Sequence, residues 1–185
     1  MSVLVTYGTD HHRFDRLSRW IEDWLATRPG VRCAAQEGAS RPPQGALALG
    51  LVAREELLAH MRQATVVVGQ AGPGTVIDAH QCGVLPLLVP RLPALDEVVD
   101  DHQVAFARTM AASGRALVAE SAGELWELLD AVAADPAMVR TPAASADLVD
   151  VGRQLAQLCD DVLGRPAGWV HLGRVVEMAR SRRRR

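Results

Sequence analysis

The sequence predicts a single α/β domain of the doubly wound type, with a parallel sheet covered by helices on both faces. Three observations point there. Short β-branched or apolar runs alternate with segments whose apolar residues recur every three or four positions, the pattern of strands crossed over by helices. The sharpest run, Thr65-Val66-Val67-Val68-Gly69, is continuously apolar, as a strand in the middle of a covered parallel sheet has to be. A length of 185 residues suffices to bury one core but not to build two full α/β domains.

Val3 to Tyr7, closed by Gly8, reads as the opening strand. Phe14, Leu17, Ile21, Trp24 and Leu25 then mark an amphipathic helix that ends at Pro29-Gly30. Val31 to Gln36 and Ala46 to Val52 are weaker strand candidates, separated by a loop of Ser, Arg, Pro and Gly. Arg54 to Ala64 is helical, with Leu57, Leu58 and Met61 on one side, and leads into the valine strand. Gln70 to Gly83 forms a glycine-rich turn and a short helix, and Val84 to Val89 is the next strand, apolar but for Pro86. A helix over Val99 to Ser113, a strand over Ala116 to Ala119 and a helix over Gly123 to Ala134 complete the alternation. One more helical pattern, with Leu148, Val151, Leu155, Leu158 and Val162, lies in 143–164. The organisation expected is therefore an α/β domain over 1–140, a helical extension over 141–179 and a basic tail over 180–185.

Composition narrows the class. With 49% hydrophobic and 23% charged residues the chain is ordinary globular material, and no run approaches the roughly 20 apolar residues of a transmembrane helix. The amino terminus enters a strand directly, without the parts of a signal peptide, which makes the cytoplasm the expected compartment. Cys33, Cys82 and Cys159 are odd in number and far apart, a pattern of buried or incidental thiols and not of a disulfide framework or a paired zinc motif. Taking the five positive charges of the tail (Arg180, Arg182, Arg183, Arg184 and Arg185) from the total of −2 leaves −7 on residues 1–179. An acidic body argues against a nucleic-acid partner, which needs a cationic face.

The strongest local feature is Gly69-Gln70-Ala71-Gly72-Pro73-Gly74-Thr75, between the valine strand and a helix. Gly72 and Gly74 are expected to take backbone torsions closed to other residues and to admit a ligand close to the chain. The helix N–H groups behind them favour an anion such as a diphosphate. A structural tight turn has the same sequence. Spacing alone favours Asp78 as the partner of Thr75 in a capping box; the rival reading puts its carboxylate on a ribose diol. Glu97-Val98-Val99-Asp100-Asp101-His102-Gln103 is a second polar cluster, in which Asp100 and Asp101 suit a helix start while His102 and Gln103 have no such explanation. Gly8-Thr9-Asp10-His11-His12 would face the same sheet edge, with His11 and His12 pointing apart, so that no metal site is expected. A Walker-type loop is absent from the sequence, and Ile77 stands where a dinucleotide fingerprint needs a third small residue.

Taken together, Gln70 to Thr75, Val84 to Arg91, and Asp100-Asp101-His102-Gln103 with Ala107 resemble the carboxyl-terminal, donor-binding domain of glycosyltransferase family 28. That family includes MurG-like enzymes and the small donor-binding subunits of two-component N-acetylglucosaminyltransferases, whose first strand and loop Val5-Thr6-Tyr7-Gly8-Thr9 is also similar to. The resemblance covers about the first two thirds of the chain. It implies a Rossmann-like sheet, the C-terminal half of a GT-B glycosyltransferase. It also implies a UDP-sugar donor, with N-acetylglucosamine or a related hexose as the sugar, and no cofactor or metal. The diphosphate would lie over Gly72, Gly74 and Thr75 and the loop at Gly8 and Thr9, with Asp78 on the ribose and Gln103 near the donor sugar; Asp101 and His102 are candidates beside it. Gln70 stands where family members often carry histidine, so it would serve as a neutral hydrogen-bonding group.

One domain of a two-domain enzyme implies a partner. The resemblance points to a membrane-associated subunit that binds a lipid-linked or polysaccharide acceptor and supplies the general base, and no catalytic residue is assigned in this chain. The arginine tail reads either as a solvated end or as a contact with anionic lipid, worth about 1 kcal/mol per arginine, that would place the protein at the inner face of the cell membrane. Two other functions fit the same residues: a nucleotide-sugar-binding or regulatory protein without catalysis, and a stand-alone α/β isomerase or epimerase.

Overall fold

A computed structural model of the chain describes residues 1–143. The chain divides into two units, Met1–Leu148 and Val149–Arg185, and the described residues all belong to the first. The expected helix over 143–164, Cys159, the rest of the extension and the arginine tail fall outside them.

Six strands form one sheet in the order β3-β2-β1-β4-β5-β6, every neighbouring pair parallel: β1 is Ser2–Thr6, β2 Arg32–Gln36, β3 Leu47–Ala48, β4 Val66–Gln70, β5 Leu87–Val89 and β6 Leu117–Val118. Four helices lie between strands, α1 Asp15–Ala26, α2 Arg54–Gln63, α3 Pro73–Gln81 and α4 His102–Ala112, and α5 Ala122–Ala134 follows β6. The doubly wound sheet expected from the sequence is the observed one. Alternation along the strands feeds two cores. Val3, Val5, Val66 and Val68 pack with Phe14, Leu17, Ile21 and Trp24 of the α1 side and Leu125, Leu129 and Val132 of α5. Leu4 and Val67 point the other way, to Leu58 and Met61 of α2 and Ala79 of α3. The Trp24 indole donates to Asp130 at 3.0 Å and the Trp126 indole to the carbonyl of Trp20 at 2.8 Å, which ties α1 to α5.

Several elements are shorter than expected, among them β6, which keeps only Leu117–Val118 of the run Ala116 to Ala119. The strand over Ala46 to Val52 shrinks to Leu47–Ala48, because Gly45 and Gly50 bracket it at φ 86° and 68° and turn the chain away from β2. The run Val84 to Val89 joins the parallel sheet only from Leu87, since Pro86 has no N–H to give the ladder, while Val84 bridges Arg140 instead. The helix over Val99 to Ser113 begins at His102. A single helical turn at Pro93–Leu95 ends on Asp96 at φ 55°, and the following loop buries Glu97 and Val98 while leaving Val99 exposed. Of the cysteines, Cys33 is buried, its thiol pushed up to about 12 by desolvation, which makes it unreactive. No helix among the described residues is long and apolar enough to cross a membrane.

Candidate functional site

Strand order reverses between β1 and β4, and in an open parallel sheet the loops leaving two such strands diverge and leave a crevice at their carboxyl ends. Here those loops are Gly8–Thr9 and Ala71–Gly72. A cleft of about 490 Å³ lies there, with Gly8, Thr9, Gln70, Gly72, Gly74, Thr75 and Asp78 in its wall, together with Gln36, Leu51 and Arg54. Seven residues expected at the site from sequence thus share one cavity. A second cleft of similar volume opens beside Ser2, Arg32 and Ala64, at the amino ends of the strands, where the end of α2 and, among the described residues, no helix start lines it.

The glycines act differently from what their sequence suggests. Gly72 is extended (φ −114°) and Gly74 lies in the first turn of α3, so neither takes a left-handed torsion. Their use is the missing side chain. A Cβ on Gly72 would sit 2.4 Å from Gln70 Nε2, whereas one on Gly74 would meet nothing within 4 Å and would project into open space. The left-handed glycine is Gly8, at φ 74°, whose Cβ would also lie 2.8 Å from Gln70 Nε2. The Gln70 amide is therefore threaded between two glycines. Helix α3 starts at Pro73, and its first-turn amides at Gly74 and Thr75 have no partner carbonyl within the helix, which leaves donors for an anion.

Two glutamines fix this wall, and neither has a free choice of amide orientation. The backbone N–H of Arg91 donates to Gln103 Oε1 (3.2 Å), so Gln103 Nε2 must face Gln70 Oε1, to which it donates at 2.6 Å. That contact in turn leaves Gln70 Nε2 as the end beside Gly8 and Gly72. On the other side Gln36 accepts from Thr6 Oγ1 at 2.7 Å and donates to the carbonyl of Gly8 at 3.1 Å, which holds the first loop. Gln36 is 3% exposed, as is Gln103.

Behind Gln103 stands a buried arginine. The Arg91 guanidinium donates to the carbonyls of Tyr7, His12 and Glu97 at 2.8, 2.8 and 2.9 Å and lies 4.8 Å from the Phe14 ring centroid. Desolvation pulls its pKa below the ordinary arginine value, against the opposing charges of Asp10 and Glu97. The Glu97 carboxylate takes Arg16 through both oxygens (3.0 and 2.8 Å) and the Leu92 amide at 3.0 Å. These residues clamp the loops after β1 and β5 against each other; the sequence reading gives them no part in the site.

Asp78 is not a cap. Gly72 is the N-cap of α3 and Pro73 its first residue, which puts Thr75 inside the helix, where its side chain cannot cap it. The carboxylate instead receives Arg54 Nε and Nη2 at 3.1 and 2.6 Å, both on Oδ1. Asp101 and His102 lie outside the cleft wall, exposed, where His102 hydrogen-bonds Asp100. Gln103, also outside the wall, reaches the cleft only through Gln70.

His11 and His12 do not point apart. Their rings lie 4.0 Å between centroids, because they sit on a bend and not on an extended strand, where alternation would hold. With Asp10 they form a grouping whose ligand atoms lie within 4.8 Å of one another, compatible in spacing with a metal, although the His11 side chain is 87% exposed. Burial opposes the Asp10 charge, but the backbone and ring of His12 more than offset it and hold the carboxyl below its ordinary range.

Residues 54–149 match the glycosyltransferase family 28 C-terminal domain. The UDP-N-acetylglucosamine--N-acetylmuramyl-(pentapeptide) pyrophosphoryl-undecaprenol N-acetylglucosamine transferase of Rhodospirillum centenum is 33% identical over 146 residues, 72% of this chain and 37% of the relative. The Synechococcus sp. protein of the same name is 31% identical over 123 residues, 58% of this chain and 33% of the relative. The chain therefore spans about a third of the length of the curated relatives it matches. Among solved structures, the glycotransferase of kitacinnamycin superposes with a TM-score of 0.55 at 19% identity, over 88% of this chain and 39% of that one. Acinetobacter baumannii MurG superposes with a TM-score of 0.52 at 18% identity, over 89% and 50%. Both share the α/β fold expected here, the C-terminal half of a GT-B glycosyltransferase. With more than half of its residues matched by the family model, the chain belongs to the glycosyltransferase family 28 C-terminal domain family.

Proposed function

We propose that this chain is the donor-binding half of a two-component glycosyltransferase, taking N-acetylglucosamine or a related hexose from a UDP-sugar. The observation that carries the reading is the cleft at the β1/β4 switch point, where the open start of α3, the Gln70 amide and the Asp78 carboxylate converge. Diphosphate charge meets the α3 amides and Gln70 Nε2; the ribose meets Asp78. As the bond from the anomeric carbon to the departing diphosphate breaks, negative charge grows on the UDP oxygen, and fixed N–H dipoles stabilise it without reorganising. No cofactor enters this scheme.

The acceptor and the general base come from a second, membrane-associated subunit. The acceptor in the names of the curated relatives, an undecaprenol-linked sugar, supports that half of the proposal. The tail arginines Arg180, Arg182, Arg183, Arg184 and Arg185 would add a contact to anionic lipid at the cytoplasmic surface. Calorimetry of the full chain with UDP tests the donor site, with saturable millimolar or tighter binding expected. Absence of binding by folded protein at millimolar UDP would overturn the reading. Donor hydrolysis that requires a co-purified partner is the expected outcome for the two-component part; hydrolysis by the chain alone at the same rate would remove the partner from the scheme.

A further inference from the structure

The cleft contains one arginine that no motif singles out. Arg54 opens α2, and among the described residues in the cleft wall it is the one cation, as Asp78 is the one anion. How the two pair is unusual within this molecule. In the pairs Arg16–Glu97, Arg28–Asp130, Arg41–Glu22 and Arg108–Glu120 the guanidinium spends two nitrogens on two carboxylate oxygens, the fork-to-fork arrangement that both groups favour. Arg54 places both Nε and Nη2 on Asp78 Oδ1. Its Nη2 also donates to Gln81 Oε1 at 2.9 Å, which draws the fork to one side. Among the described residues no hydrogen bond reaches Oδ2, and the Asp78 side chain is only 15% exposed, in the wall of the cleft. A fixed and half-satisfied carboxylate remains, with acceptor capacity toward hydroxyl groups.

We propose that Arg54, held by Gln81, is a positioning residue that keeps Asp78 Oδ2 open for the ribose hydroxyls of a nucleoside diphosphate and so makes the cleft select ribonucleotides over 2′-deoxyribonucleotides. The inference rests on the donor-site reading and adds to it the residue that sets sugar selectivity. Arg54 acts through Asp78. Removing it frees the carboxylate to rotate and take water; removing Gln81 lets Nη2 move onto Oδ2 and close the open oxygen without changing any charge.

The test is calorimetric titration of the full chain with UDP and with 2′-deoxy-UDP, with thermal melts to show that each variant folds. Wild type should prefer UDP about tenfold, the scale of one hydrogen bond to a charged group. Arg54→Ala, Gln81→Ala and Asp78→Asn should each bring the two affinities within about twofold of each other, and Arg54→Ala should add nothing in the Asp78→Asn background, as expected of residues acting as one unit. A wild-type preference retained in Arg54→Ala overturns the proposal. So does an equal loss for both nucleotides that adds to Asp78→Asn, since Arg54 would then contact phosphate directly. Wild-type protein that binds neither nucleotide would overturn the donor site itself, and this inference with it.

Discussion

Two arginine–carboxylate pairs stand above the carboxyl ends of the strands and are built in opposite ways. Arg16–Glu97 is closed: the side chains are 10% and 5% exposed, both carboxylate oxygens are taken, and a backbone amide fills a further position. Arg54–Asp78 is open: 48% and 15% exposed, with one oxygen doing all the accepting. A saturated buried pair has nothing left to offer a ligand, and breaking it strands a charge in low dielectric. An unsaturated pair in a cleft adds little to stability but keeps bonding capacity in reserve. The difference separates the half of this edge that holds the loops from the half that keeps an unfilled carboxylate oxygen in the cleft wall.

That separation can be broken by mutation. Glu97→Ala should have the largest effect, a stability loss of about 3 to 5 kcal/mol in urea unfolding, because it leaves Arg16 buried without its partner. A loss no larger than that of an exposed pair would remove the contrast. Gln103→Leu comes next, at about 1 to 3 kcal/mol for the unpaired Arg91 amide, and it should also weaken UDP because Gln70 loses its anchor. Gly74→Val belongs to the open side. Its Cβ enters free space, so the melting temperature should barely move, while UDP affinity falls by about tenfold or more as the side chain fills the approach to α3. Normal UDP affinity in that variant would reduce the glycine loop to a turn.

Two smaller effects sharpen the scale. The Glu22 carboxyl is held below its ordinary value of 4.5, first by the Arg41 guanidinium and also by the Gln44 amide. A depressed folded pKa stabilises the protein above the unfolded pKa, and the gain disappears as pH falls through the folded value. The stability difference between wild type and Glu22→Gln should therefore be constant above about pH 4.5 and close below it. A difference that persists into strong acid would place the contribution elsewhere. Arg108→Ala, which breaks an exposed pair with Glu120, should leave the unfolding midpoint unchanged.

The closed side was the part the sequence could least reveal. The β-branched run of β4 and the apolar spacing of α1 and α5 are local signals, and local signals set those elements correctly. The glycine loop between β4 and α3 was equally legible, as was its place at the carboxyl edge. Arg16 and Glu97, by contrast, are 81 positions apart, and Arg91 reaches carbonyls at Tyr7 and His12 across similar distances. Nothing in residue spacing announces such partners. The pairing of Asp78 with Arg54, 24 residues upstream, defeated the capping-box reading for the same reason, and Pro73 contributed by starting the helix early. A polar residue that ends an apolar strand, such as Gln36 after Cys33-Ala34-Ala35, is the one signal that could have found part of this framework.

The sheet ends on both sides in strands of only two residues, β3 and β6. A neighbouring chain extends a sheet by bonding to the outward N–H and C=O groups of its last strand, and two residues supply about one of each. Among the described residues neither border offers more than this to another strand, so the open borders that longer flat strands present are lacking there. Under the two-component proposal a facing half would meet instead the loops above the strands, where Gly8, Gln70 and the start of α3 stand.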